Sequence, residues 1–270
     1  MGLYSSATLF GRTLAPLLGG FLITFLAYKG GLFNYRAVYL AAFILSLPIL
    51  FLALLIPKKS KNNPSDSSVK SFSISEMWVV FKRFIKSGLV TATATVDMAT
   101  YFIYGVLEAY LPLLLVQKNI SASKIGLLFS VQVISIALTK PLFGRLADRI
   151  DKRCQILSGI AILIITTCLI PVLPNYYLII IDVLFFGLGM SLSTIATSTY
   201  ISENVLKEEL ASSMGLLSAI MDIGQSFGPF LVGFIATIYS YAVGFYFSGL
   251  VAILSATFFY LEAYRKPKTI

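Results

Sequence analysis

Apolar residues run along this chain in long blocks separated by short polar connections. Eight blocks are long enough to cross a bilayer as helices: residues 3–27, 35–56, 88–117, 124–143, 155–173, 176–201, 214–239 and 241–264. No strand-like alternation of period two appears, which argues against an outer-membrane barrel. The pattern therefore predicts an all-α polytopic membrane protein of eight transmembrane helices. One connection is long and polar, residues 57–87, and contains "PKKSKNNPSDSSVKSF". It divides the chain into two helices and then six. Within it, "SEMWVVFKRFIKSG" reads either as an amphipathic helix on the membrane surface, with Trp78 beside Lys82, Arg83 and Lys86, or as a solvated helical linker.

Composition agrees. Of 270 residues, 57% are hydrophobic and 12% charged, against roughly 25% charged in a soluble domain. The net charge of +9 does not point to nucleic acid, because the basic residues gather between the apolar blocks. If connections alternate sides, sixteen Lys and Arg fall on one side and four on the other, with Arg12 inside the first span. The positive-inside rule places the richer side, with both termini and the 57–87 loop, in the cytoplasm of a multi-pass cell-membrane protein. There is no His, so a His-containing metal motif is excluded. Cys154 and Cys168 share one helix at roughly 21 Å, too far apart to bond. Gly2 invites myristoylation, but Ser6 lies within an apolar helix. No nucleophile–base pairing and no Walker-type phosphate loop is present, so neither an enzyme nor direct drive by ATP is expected, and no cofactor or metal is implied.

A repeat orders the helices. "MGLYSSATLFGRTLAPLLGGFL" at Met1 returns as "MGLLSAIMDIGQSFGPFLVGFI" at Met214, with nine of 22 positions identical. The first span thus corresponds to the seventh in the same direction, and the repeating unit is six helices. Two parallel six-helix halves resemble the plan of the major facilitator superfamily. The resemblance implies that the spans are helices five to twelve of a twelve-helix fold. Residues 1–56 would then be the last two helices of the N-terminal half, 57–87 a cytoplasmic linker, 88–264 the C-terminal half and 265–270 a cytoplasmic tail. The first four helices would be absent, or supplied as a separate chain.

Two further motifs carry the resemblance. "GRLADRIDKR", residues 144–153, is similar to the superfamily's loop motif Gly-x-Leu-Ala-Asp-Arg-x-Gly-Arg-Lys, with Asp151 at its second glycine. It implies a cytoplasmic gate built from Gly144, Asp148, Arg149 and Arg153. Asp148 would lie at the N-terminus of the seventh span, and Arg149 and Arg153 would pair with Glu203, Glu208 or Glu209. "GRTLAPLLGG", residues 11–20, resembles the fifth-helix signature of drug–proton antiporters, with Ala15 where glycine is usual. Gly11 with Ala15, and Gly224 with Gly228, are small-xxx-small pairs that let helices approach closely, and Gly19 and Gly20 extend the motif. Pro16 and Pro229 each remove a backbone hydrogen bond and permit a kink.

The ionisable groups inside the spans supply the candidate chemistry. Asp97, Tyr101, Tyr104 and Glu108, spaced i, i+4, i+7 and i+11, share one face of the third span, and Thr93 extends it. Ser218, Asp222 and Gln225 do the same on the seventh. Asp182 lies on the sixth span, with Arg12 as a possible counter-charge. Charges at bilayer depth cost at least about 2.5–3.5 kcal/mol, so these groups should face a wet cavity or one another. A proton-coupled carrier needs a membrane-embedded carboxylate, and Asp97, nearest mid-membrane, is the first candidate. The tyrosines suit amphipathic, aromatic or cationic molecules. The expectation is a secondary active transporter working by alternating access, exporting hydrophobic or cationic small molecules in exchange for protons. The alternatives are an uptake permease for a small metabolite, or a non-transporting fragment or sensor on the same fold.

Overall fold

The computed structural model describes residues 2–26, 33–55, 74–147 and 150–265. They form helices α1 (Gly2–Phe25), α2 (Phe33–Leu55), α3 (Ile74–Lys86), α4 (Gly88–Gln117), α5 (Ala122–Ala147), α6 (Lys152–Leu169), α7 (Tyr176–Asn204), α8 (Leu210–Ile238) and α9 (Tyr241–Arg265), with no strand among the described residues. A helix stands at each of the eight predicted spans. Six of them, α4 to α9, are long and apolar enough to cross a membrane, and Thr13–Phe25 and Arg36–Pro48 are shorter apolar stretches.

The reversals are set locally. Asn119 takes a left-handed backbone, φ 59°, between α4 and α5, a conformation Asn tolerates better than most side chains. Pro171 follows the end of α6 in a short 3₁₀ turn, Ile170–Val172. Asn175 then caps α7, its side-chain oxygen accepting from the Leu178 N–H at 3.0 Å.

α4 lies at the centre, packed on α6, α7, α8 and α9. Its Ile103, Leu107, Leu111 and Leu115 are fully buried with Phe186 of α7 and Phe245 and Phe259 of α9. Between lipid-embedded helices burial from water is not the driving force, so close backbone approach and interhelical hydrogen bonds matter most. α4 and α8 show both. Pro229 offers no N–H to the Gln225 carbonyl four residues back. That oxygen occupies the place a Cβ on Gly105 of α4 would take. Gly224 and Gly228 lie likewise against the carbonyls of Met98 and Phe102. The Tyr110 hydroxyl closes the contact by donating to the Pro229 carbonyl at 2.8 Å.

The other copy of the repeat is used differently. α1 meets α5 through Gly20 and Gly126, which face the carbonyls of Ala122 and Pro16. The Ser130 hydroxyl donates to the Thr13 carbonyl at 2.8 Å. The close approach expected at Gly11 and Ala15 is not found: a Cβ on Gly11 would meet nothing within 4 Å among the described residues, and Ala15 is exposed. Gly19 has only the Val38 side chain, at 3.9 Å. At about 100° per residue, Gly20 lies half a turn around α1 from Gly11, so α5 covers the opposite face.

Candidate functional site

The predicted stripe on α4 starts against α7 and ends against α8. Asp97 is 3% exposed, and its Oδ1 accepts from the Thr197 hydroxyl of α7 at 2.6 Å. Thr93, on the same face, is buried and turns its hydroxyl back to the Leu89 carbonyl at 2.8 Å. Next along α4, Thr100 and Ser193 share a hydrogen bond of 3.0 Å. Tyr101 and Tyr104 are half-buried, their rings edge to face with centroids 6.2 Å apart. Glu108 is exposed and accepts from the Gln225 amide of α8 at 3.0 Å. Asp97 lies nine residues after Gly88 and Glu108 nine before Gln117, each about 14 Å from its helix end at 1.5 Å per residue. The two positions are thus equally far from the ends of α4, and Asp97 differs from Glu108 in burial.

Asp182 of α7 is 6% exposed, and its Oδ2 has no hydrogen-bond partner among the described residues. The Arg12 backbone belongs to α1, but its side chain lies outside the described residues, and so does the expected Arg12–Asp182 pair. Asp222 is exposed on α8, and Ser218 does not join it, because its hydroxyl returns to the Met214 carbonyl at 3.0 Å. A cavity of 460 Å³ lies away from the stripe, at the basic end of the bundle, between Arg83, Phe84 and Ser87 on one side and Glu203, Leu206 and Glu209 on the other.

Of the loop motif, Asp148 and Arg149 lie outside the described residues. A Cβ on Gly144 would meet nothing within 4 Å among the described residues. The expected pairing of Arg153 with Glu203, Glu208 or Glu209 is not found, because its guanidinium donates to the Ala263 carbonyl of α9 at 2.7 Å. Lys152, one residue earlier and about 100° around the helix, pairs with Glu203 at 3.1 Å. Arg83 of α3 pairs with Glu209. Asp151, at the motif's second glycine position, caps α6 by accepting from the Arg153 N–H at 3.0 Å. Replacing it with alanine should lower stability by about 0.5–2 kcal/mol, read as a lower melting temperature of the full chain in detergent, with Asp151→Asn close to wild type.

The α7 partners of the stripe escaped the reading by ionisable residues alone, whereas Gln225 of α8 was among its candidates. Thr197 and Ser193 belong to "SLSTIATSTY", residues 191–200, a run of hydroxyls in an apolar span. An unusual hydroxyl density of this kind is the signal that finds them.

Comparison with known proteins joins this geometry to a family. The Major Facilitator Superfamily model matches residues 93–270. An uncharacterized MFS-type transporter of Methanocaldococcus jannaschii is 24% identical over 266 residues, which is 98% of this chain and 66% of that protein. The quinolone resistance protein NorA of Staphylococcus aureus is 26% identical over 151 residues, 56% of this chain and 39% of NorA. A bacterial homolog of the human lysosomal transporter Spinster, solved inward-facing and unoccupied, superposes with a TM-score of 0.72 at 16% identity, covering 97% of this chain and 70% of that one. At that identity the structural likeness concerns the fold. The family model spans more than half of the sequence, including the stripe and the loop motif, and the chain belongs to the Major Facilitator Superfamily.

Proposed function

We propose that this chain works in secondary active transport by alternating access, moving hydrophobic or cationic small molecules out of the cell in exchange for protons. The observation that carries the reading is the Asp97 carboxylate, buried deep within a span and held by one hydroxyl, that of Thr197. A carboxylate there is costly to bury, and such groups mark proton or ion pathways. Tyr101, Tyr104 and Glu108 continue from it along one face. Aromatic faces and a carboxylate suit a cationic, amphipathic ligand. The partial likeness to NorA favours export over uptake.

In this reading residues 88–264 act as one six-helix half, consistent with the packing of α6 to α9 around α4 and of α5 on α7. The end bearing Lys140, Arg145, Lys152 and Arg153 faces the cytoplasm of a cell-membrane protein. Close contacts at Gly105, Gly224 and Gly228 keep α4 and α8 moving as a unit. The test uses the full chain in proteoliposomes, with a fluorescent cationic dye and an imposed pH gradient. Dye should move against the proton gradient and stop when a protonophore collapses it. Gradient-driven accumulation of a small metabolite, with no dye movement, would point to uptake instead.

A further inference from the structure

α3 is outside the stripe and outside the loop motif. Ser87 alone separates it from α4. The corner is sealed by Thr91, whose hydroxyl bonds to the carbonyls of Phe84 and Ile85 at 3.0 and 3.1 Å. Phe84 is 5% exposed and packs with Val90, Ala94, Ile201 and Leu217. Arg83 is tied to Glu209 at the turn into α8. These contacts hold α3 against the basic end of the bundle, where the membrane-spanning part of α4 begins.

The side of α3 turned away from the bundle has a different character. Trp78, Phe81 and Ile85, spaced i, i+3 and i+7, are 57%, 36% and 50% exposed. Lys82 and Lys86 are exposed beside them. Aromatic and aliphatic groups flanked by lysines, at the level where a transmembrane helix enters the bilayer, match the chemistry of an anionic leaflet. The rings and the isoleucine suit the boundary between headgroups and acyl chains, and the ammonium groups suit the phosphates above it. We propose that α3 is an interfacial anchor that lies along the anionic lipid surface at the basic end of the bundle and holds the start of α4 and the α7–α8 turn to that surface. The proposal requires that the protein be embedded in a membrane, and it is independent of substrate and of proton coupling.

Trp78 is the single tryptophan of the chain, so indole emission reports on α3 alone. The experiment places one copy of the full chain in each nanodisc and uses lipids brominated either near the headgroup or near the chain end. Trp78 emission should be blue-shifted, and quenched at least about twofold more by the shallow bromines than by the deep ones, as for a helix lying at the interface. Quenching should increase when anionic lipid replaces zwitterionic lipid, and that increment should vanish in the Lys82→Gln/Lys86→Gln variant. Emission like that of indole in water, quenched by iodide and indifferent to bromine, would overturn the proposal. So would a bromine effect that does not change with anionic lipid, or protection that appears only when two copies share a disc.

Discussion

Replacing Asp97 with asparagine should abolish proton-driven transport, with a fall of at least about tenfold in the initial rate, while leaving the protein folded. Asparagine keeps the size of the side chain and an oxygen that can accept from the Thr197 hydroxyl, which donates to Oδ1 at 2.6 Å in the wild type. What it loses is the capacity to take up and release a proton. The change should therefore remove coupling without opening a cavity, and the melting temperature in detergent should stay near wild type. Asp97→Leu would be a harsher test, since it leaves the Thr197 hydroxyl without this acceptor in a span. Asp222→Asn should have a smaller effect, because Asp222 is exposed. The checking measurement is gradient-driven dye movement in proteoliposomes, normalised to reconstituted protein.

The second large effect is on stability, and it changes sign between two glycines. In Gly105→Ala the new Cβ would fall on the Gln225 carbonyl of α8. Backbone cannot swing aside as a long side chain can, so α4 and α8 must separate. Overpacking of this kind costs about 1–3 kcal/mol. In Gly11→Ala the same methyl meets open space among the described residues and raises helix propensity, by up to about 1 kcal/mol. Thermal unfolding of the purified full chain should show Gly105→Ala melting below wild type and Gly11→Ala at or above it. Equal melting temperatures for wild type and Gly105→Ala would mean that α4 and α8 do not touch there.

Much of the architecture was legible because lipid imposes a simple code of length and apolarity. The span read as 88–117 is α4 as found. α6 and α8 start earlier than the apolar pattern predicts, at Lys152 and Leu210 instead of 155 and 214. Lys152 and Arg153 dilute the apolar signal, although Asp151 caps the helix just ahead of them. Ahead of Met214, Ser212 and Ser213 do the same at the start of α8.

The stripe was legible as a periodicity, but its surroundings were not. Spacing places Asp97 and Glu108 on one face of α4. It does not say that α7 meets the first and α8 the second, because that depends on how three helices diverge. The repeat shows the same limit. Gly11 and Gly224 hold equivalent positions, yet only Gly224 is pressed against a neighbour in the described structure. A shared motif fixes what a helix can do, and the placement of its neighbours decides what it does. Arg153 is a third case, since the neighbour that accepts its hydrogen bond is a carbonyl of α9, which no charge pattern reveals.

We propose exchange of protons for substrate through the Asp97 region. The most direct measurement traps a pH-sensitive dye inside proteoliposomes with an acidic lumen and adds a cationic substrate outside. The lumen should turn alkaline as substrate enters, at a rate that follows substrate concentration, and Asp97→Asn should show no such change. Substrate entry without proton exit, or coupled exchange unaffected by both Asp97→Asn and Asp222→Asn, would contradict the proposed exchange.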